Sequence, residues 1–570
     1  MTRRALSRNH GLLVCFGLVV AVLATYAASL GNAPVWDDKP LVVDNPYLGT
    51  LSGLGKIWTA DLWSASAQGE ASSYYRPFTV LTFWVNVALG GRSAASLRLG
   101  NVLLHASNAM LLAVFARKRT GLGWRPAGLV ALLFAVAPVS SEPVLWISGR
   151  FDLLVVTFAL LALLAAHAEG RVGLALGLAS VAGGLLCKES FIGWLPLLLV
   201  YDLLVRRAPA RGLLPKYVAV AAIVAGYLGL RHAVGIPSLA PVTNTGVRAL
   251  AESFLFLVGT FLRELVWPAT LDPFRPYVAL PVGALLVVVV VLVAMIAVPI
   301  AAFRRERESA LSRLAIFGVA WFVLATVPSA VVGPTLAMIG DRYAYMPMVG
   351  LFLALGAALG APRAMRPRAS AVWSTLGAAL ALAWGVCTQL HARDWRDDDT
   401  LAKSSLASDP ENPYALYWLG SDAAQHGQLE KADQLLARSI ARNPGSWRTW
   451  NAICFLRLRQ DRLAEAEPAC KEAIERHPLN PRAWVNLASV YVRGGRWQEA
   501  LTSADRALVL KPGYAEAHYL AAVSAANLGL YPVASSHVEA GLRVEGTHTR
   551  LLALQGDLER HQREHPPAPQ

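Results

Sequence analysis

Eleven apolar runs, each near the length that crosses a bilayer as a helix, limit what this chain can fold into. They lie near 11–30, 97–116, 126–140, 151–167, 172–187, 190–205, 216–234, 281–303, 312–331, 343–361 and 371–390, and a spanning helix needs about 17–25 such residues. Hydrocarbon offers the backbone no water, so each run must satisfy its own N–H and C=O groups as a helix. With 55% hydrophobic and 16% charged residues over 570 positions, the chain is too apolar for a soluble protein of this length. The fold class is therefore all-α, with a polytopic membrane domain of about eleven crossings.

The 52 Lys and Arg outnumber the 38 Asp and Glu, and the basic residues gather in short connections. These are MTRRALSR at the start, RKRTGLGWR at 117–125, RRAPARG at 206–212, RRERESALSR at 304–313 and PRAMRPR at 362–368. Such clustering follows the positive-inside rule. No basic face interleaved with aromatics appears, so nucleic acid is not an expected partner. With all five connections in the cytoplasm, the segment 249–268 cannot cross, because it carries Glu252, Arg263 and Glu264. It reads as amphipathic or re-entrant, and the parity then closes with the N-terminus inside and the C-terminus outside. If the first run were a cleaved signal peptide, the loop after it would still lie outside. The chain has no Asn-x-Ser/Thr sequon and is rich in Ala, Arg and Gly, which leans towards a bacterial inner membrane.

After His391 the sequence turns polar and periodic. Pro410, Pro444, Pro478 and Pro512 stand 34 residues apart, and so do Ala432, Ala466, Ala500 and Ala534. Trp450 and Trp484 keep the same step, while Gly427, Gly495 and Gly529 fit it with one gap. That period, with small residues where two helices cross and Pro after the second, is the tetratricopeptide signature. The expected organisation is a membrane domain over 1–395, a linker at 396–409, four repeats over 410–546, and a cap helix with a Pro-rich tail over 547–570. Stacked helical hairpins form a short solenoid whose groove suits capture of a protein partner. Cys454 and Cys470 face one hairpin core, where they either bridge in an oxidising compartment or pack as small buried thiols. Cys15, Cys187 and Cys387 lie in or beside apolar runs and read as packing residues. No cysteine pair has metal-ligand spacing with histidines, so no metal is assigned.

On this topology the first external loop, 31–96, holds WDD (36–38), DNPYL (44–48) and SSYYRPF (72–78). The same side carries PVSSEPVLWISGRFD (138–152), CKES (187–190) and GDRYAYMP (340–347), with His105 in the outer half of the second span. Each charge alone suits an interfacial anchor or a helix cap. Together they gather acids and cations on the side where basic residues are otherwise avoided, and charges at a membrane edge tend to mark function. Outside the cytoplasm there is no nucleotide-sugar pool, so glycosyl transfer there needs a sugar carried on a polyprenyl phosphate. The leaving phosphate requires cations, for which Arg150, Lys188 and Arg342 are candidates. The acceptor hydroxyl requires a carboxylate base, for which Asp37 and Asp38 are candidates.

WDDKPLVVDNP, YYRPFTVLTFWVN, NVLLHASNAML, LLFAVAPVSSEPVLWISGRFDLL, CKESFIGWLPLLLVYD and DRYAYMPMVG, followed by a tetratricopeptide tail, resemble the transmembrane-and-tetratricopeptide-repeat protein O-mannosyltransferases and their bacterial relatives, which are GT-C glycosyltransferases. The resemblance implies a polyprenyl- or dolichyl-phosphate sugar donor, inversion at the anomeric carbon, and a catalytic acidic pair in the first external loop. By matching motif, Asp37 and Asp38 take the catalytic place, and Arg76, His105, Glu142, Arg150, Lys188, Glu189 and Arg342 become donor-site candidates. The implied partners are the lipid-linked sugar, membrane lipid and an exported acceptor protein held by the repeats; neither motif nor spacing assigns a divalent metal. The competing readings are a membrane-anchored repeat scaffold with dispensable aspartates, a transferase acting on lipid or polysaccharide, and a transporter. A transporter would place its charges near the bilayer midplane.

Overall fold

The computed structural model describes residues 2–64, 66, 72–120, 122–166, 170–236, 246–305, 309–336, 338–360 and 367–564. The chain divides into two compact units, one up to Ser404 and one from Ser405. In the first, the helices run α1 (Thr2–Tyr26), α2 (Leu51–Thr59), α3 (Pro77–Gly90), α4 (Ala94–Thr120), α5 (Trp124–Val136), α6 (Glu142–Leu145), α7 (Arg150–Ala165) and α8 (Gly170–Cys187). They continue as α9 (Pro196–Val200), α10 (Ala210–Ala233), α11 (Val247–Val266), α12 (Val282–Arg305), α13 (Ala310–Leu336), α14 (Tyr345–Gly360), α15 (Pro367–His391) and α16 (Asp398–Ser408), the last running across the division between the units.

Among the described residues seven helices are long and apolar enough to cross a membrane: α1, α4, α7, α8, α10, α12 and α13. Helix α12 reaches a mean hydropathy of 3.2, and Val288 is its one buried residue. Its valines would be costly in water at about 25 cal/mol per Å², so they belong in lipid, and this unit is an integral membrane domain. The other four expected crossings take other forms. Helix α5 has 13 residues and α14 has 16, while α15 has the length at 25. The run expected at 190–205 is broken. A 3₁₀ turn (Glu189–Trp194), the short α9 and a π turn (Tyr201–Val205) succeed one another there, because Pro196 lacks the N–H a continuous helix needs.

Helix α11 is amphipathic. Ser253, Phe256, Leu257, Thr260, Phe261 and Glu264 are buried at helical spacing, while Arg248 and Glu252 pair on the exposed side. Helices α13 and α14 approach closely, since a Cβ on Gly318 would meet the Gly350 carbonyl oxygen at 2.5 Å and the Ala354 nitrogen at 2.7 Å. Small residues at such crossings let spanning helices pack backbone to backbone. Among the described residues the one strand pairing is antiparallel, with Arg275 opposite Ile339 and Pro276 opposite Met338.

The second unit contains α17 (Pro413–Gln425), α18 (Leu429–Arg442), α19 (Trp447–Arg459), α20 (Leu463–Arg476), α21 (Pro481–Arg493), α22 (Trp497–Leu510), α23 (Ala515–Asn527), α24 (Tyr531–Val544) and α25 (Thr549–Glu564). The first eight form four helical pairs. Ala432, Ala466, Ala500 and Ala534 are fully buried where the paired helices cross, which is why that column excludes larger residues. Gly427, Gly495 and Gly529 turn each pair at φ +77°, +69° and +76°. Asp461 fills the gap in that column at φ +61°, a conformation Asp tolerates better than most residues. Asn412, Ser446 and Asn480 cap the first helix of successive pairs, and the indole N–H groups of Trp450 and Trp484 donate to the carbonyls of Pro444 and Pro478. Cys454 and Cys470 are joined by a disulfide across the second pair, with Cα atoms 5.1 Å apart.

Candidate active site

The WDD turn is held from several directions. Trp36 sits at φ +51°, a costly conformation for a bulky residue and of a kind that concentrates at functional sites. Its ring packs on Phe274, Trp395 and Trp146, with centroids 4.2, 5.6 and 5.9 Å away. Its backbone N–H donates to Asp398 Oδ1 at 2.9 Å, and Lys39 Nζ reaches Asp398 Oδ2 at 2.7 Å. Arg98, fully buried, donates to the carbonyls of Ser29, Asn32, Ala33 and Leu145. Arg92 donates to those of Val42, Val43, Asn45 and Leu48. Residues 29–48 of this region are thus fastened through their own backbone.

Within this frame the two aspartates differ. Asp38 is fully buried; its Oδ1 accepts the Ser148 N–H at 2.7 Å and its Oδ2 the Val35 N–H at 3.1 Å. Burial pushes its carboxyl up to about 6, while the bonds from Ser148 and Val35 and the charge of Arg98 pull the other way. Asp37 is half-buried. Oδ1 of Asp38 therefore ties the turn to the segment before α7, and Oδ2 closes the turn on its own backbone. An asparagine there would set an amide N–H against one of the two backbone N–H groups, and a buried donor without an acceptor costs about 1–3 kcal/mol. Asp38→Asn is expected to lower the thermal midpoint in detergent and activity together; an unchanged midpoint would show the clamp to be idle.

Beyond Trp146, four cations meet three carboxylates. Arg342 donates through Nη1 to Glu142 Oε1 at 2.6 Å and through its backbone N–H to Oε2 at 2.7 Å. Lys188 Nζ donates to Asp152 Oδ1 at 2.5 Å. Glu189 accepts Arg76 Nε at 3.0 Å and the Tyr75 N–H at 2.7 Å, with Arg231 at 3.6 Å. Aromatic faces carry these cations. Phe151 lies 4.5 Å from Arg76 and 4.8 Å from Lys188, Trp146 lies 5.0 Å from Arg342, and Trp146 and Phe151 are 5.6 Å apart. Burial lowers the affinity of Lys188 for its proton, partly offset by Asp152. For Arg342 burial opposes the charge, but Glu142 outweighs it and holds the guanidinium above its ordinary value. Beside this group, Arg275 bonds Glu264 and reaches Asp341 at 3.4 Å, while Asp341 accepts the Asp272 N–H at 2.8 Å. That ties the end of α11 to the GDRYAYMP segment. Burial pushes Glu264 up to about 7, with Arg275 pulling the other way.

Two candidates are engaged elsewhere. Arg150 spends four of its N–H groups on Asn101, Asn86 and the carbonyls of Thr82 and Leu97, and stacks on Phe83 at 4.2 Å. It braces α3 and α4 against α7, with these four donors committed to protein acceptors. His105 is fully buried, with one ring nitrogen on the Tyr345 hydroxyl at 2.8 Å and the other on the Ala135 carbonyl at 2.9 Å. Both of its nitrogens serve the core.

Lys188, Arg342, Asp152, Tyr343, Ser190 and Trp194 border a cavity of about 30 Å³. On two of these lining residues, Asp152 Oδ2 and Trp194 Nε1 are buried with no hydrogen-bond partner among the described residues. Buried polar atoms are seldom left unsatisfied, so an acceptor and a donor left open beside two cations mark a place for a polar, anionic ligand. The space holds about one water, and a sugar phosphate would need its walls to part. Sequence reasoning missed Asp398, Arg98 and Trp194, and placed Asp152 in the external SGRFD motif without giving it a role. No group of three or more His, Cys, Asp or Glu suited to a metal occurs among the described residues.

Comparison with known proteins bears on this arrangement. A family model described as tetratricopeptide repeat matches residues 456–515 and 492–543. The human Protein O-mannosyl-transferase TMTC4 is 36% identical over 217 residues, covering 33% of this chain and 29% of its own length. Human Protein O-mannosyl-transferase TMTC1 is 32% identical over 221 residues, covering 35% of this chain and 25% of its own. The Caenorhabditis elegans Protein O-mannosyl-transferase F38B6.6 is 28% identical over 204 residues, covering 35% and 29%. The chain thus spans less than a third of the length of these relatives. Among solved structures, YrrB, a tetratricopeptide protein with an unusual peptide-binding site, is similar at 16% identity over 28% of this chain and 81% of its own, with a TM-score of 0.25. Over about a third of its length the chain is similar to proteins named protein O-mannosyl-transferases, and tetratricopeptide repeats form its C-terminal unit.

Proposed function

We propose that the chain is a GT-C-type glycosyltransferase moving a mannose-like sugar from a polyprenyl-phosphate donor to hydroxyl groups of an exported protein. The observation that carries this reading is the cavity between Lys188 and Arg342, bordered by Asp152 and Trp194, whose Oδ2 and indole N–H have no hydrogen-bond partner among the described residues. The donor phosphate sits against Lys188 and Arg342, with Arg76 behind them on Phe151, and Asp152 Oδ2 accepts a sugar hydroxyl. Asp37, next to Trp36 on the same turn, takes the proton of the acceptor hydroxyl. The acceptor oxygen then bonds the anomeric carbon from the face opposite the phosphate, the carbon–phosphate oxygen bond breaks, and the pair of electrons leaves on the polyprenyl phosphate. The configuration inverts, and charge growing on the phosphate oxygens is met by the two cations. Neither step calls on a metal. The relatives' names support protein as acceptor, and the repeat groove is the surface we assign to it. The direct test is sugar release from a polyprenyl-phosphate donor in the presence of an acceptor peptide, together with intact-mass comparison of envelope proteins with and without the chain. Donor turnover that ignores peptide but responds to lipid or polysaccharide would move the acceptor out of the protein class.

The same reading sets the repeats outside the cytoplasm of a bacterial inner membrane. Basic residues mark the opposite face, and the Cys454–Cys470 disulfide suits an oxidising compartment. A reporter active only in the periplasm is expected to work when fused after Gln570. Activity there of a cytoplasm-only reporter would reverse the sidedness of the proposed site.

A further inference from the structure

A second cavity, of about 480 Å³, opens between α7, α8 and α10 and is lined by the end of α7 and the start of α8, whereas the transfer-site motifs lie at the start of α7 and just after α8. Its volume falls within the ~300–1,000 Å³ typical of small-ligand pockets. The wall is apolar and made deep by small residues, Ala162, Ala165, Gly173 and Gly177 among them. At its mouth stand Arg206 and Lys216. Both hold one buried carboxylate, Asp202, at 2.8 and 2.5 Å, and the Tyr217 hydroxyl adds a bond at 2.9 Å. Two cations share one acid, which leaves one positive charge in surplus, and the exposed Arg207 and Arg211 lie on the same connection. The flank of α8 next to the cleft shows Val172, Leu174 and Leu176 at 68%, 42% and 54% exposure, as a surface facing lipid tails would.

We infer that this cleft binds an anionic diacyl phospholipid, one acyl chain lying along the small-residue wall of α8 and the phosphate meeting Arg206 and Lys216. An apolar slot in a spanning bundle closed at one end by cations matches an amphiphile with one charged end, whereas a soluble anion would leave the slot empty. Basic pockets between spanning helices recognise anionic headgroups on this logic. Asp202 keeps both cations extended at the mouth, so the headgroup meets prepositioned donors.

The test uses the full chain, purified in detergent and stripped of lipid, then titrated with phosphatidylglycerol or phosphatidylcholine of identical acyl chains and read by native mass spectrometry. The wild type is expected to retain phosphatidylglycerol on the order of tenfold better, the scale set by one or two cations near an anionic group. The double variant Arg206→Gln/Lys216→Gln is expected to lose that preference. Gly177→Leu leaves every charge in place and fills the slot, since a Cβ there meets only the Ala165 Cβ at 3.8 Å; it too is expected to lose retention. Excess inorganic phosphate should not displace the lipid. Equal retention of the two lipids by the wild type, wild-type preference in either monodisperse variant, or displacement by phosphate alone would each overturn the assignment. Sugar transfer is not the readout, so failure here is separable from failure of the proposed activity.

Discussion

Asp37→Asn is expected to lower sugar transfer by ~10²–10⁴-fold, the usual cost of removing a positioned general base, with the protein still folded and inserted. Asparagine keeps the size of the side chain and loses only the basicity an acceptor hydroxyl requires. The geometry separates this residue from its neighbour. Asp38 spends both oxygens on the Ser148 and Val35 N–H groups inside the fold, whereas Asp37 is half-buried on a turn whose backbone is pinned by Asp398. The two asparagine variants should therefore diverge. Asp37→Asn should fold, bind donor and fail at turnover; Asp38→Asn should lose stability and activity together. Each variant is to be purified in detergent, checked for monodispersity, and assayed for sugar release with donor and acceptor peptide. Near-wild-type turnover by Asp37→Asn would remove the base from the mechanism.

The parts of this molecule that repeat or persist along the chain were readable before any coordinates. The 34-residue step located every helical pair of the second unit, because each pair solves the same packing problem with the same small residues. It even had a gap at position 461, which Asp461 fills with the left-handed backbone of its glycine counterparts. Hydropathy found the apolar runs, but it counts residues and is blind to continuity, so 190–205 read as one span although Pro196 breaks it. The site was legible as a set of charges on one side and not as a division of labour. Nothing local distinguishes Arg150, whose donors are consumed by Asn101, Asn86 and two carbonyls, from Arg342, which keeps a side open to the cavity. Both lie in short polar motifs at a helix start. What separates them is which distant carbonyls come within reach. Asp398 was hidden for the same reason, since its partners Trp36 and Lys39 lie about 360 residues earlier.

Lys188→Gln is the second variant expected to be severely impaired, by ~10²–10³-fold in kcat, the scale of losing one group aimed at developing charge. Glutamine reaches nearly as far and can still donate to Asp152, so the variant removes the charge while keeping the local hydrogen bond. Arg342→Ala would be a poorer probe, because it would strand Glu142, which is 1% exposed, and breaking a buried pair from one side costs about 3–5 kcal/mol in stability. Arg342→Lys avoids that cost. It retains a cation for Glu142 and gives up the planar fork that can hold a carboxylate and a phosphate at once. If both cations stabilise the leaving phosphate, each variant should bind the acceptor peptide normally and show its defect in sugar release. A role confined to packing predicts the reverse for Lys188→Gln: a lower thermal midpoint, with turnover per folded molecule unchanged. That result would return Lys188 and Asp152 to the status of a buried structural pair and leave the cavity between them without a function.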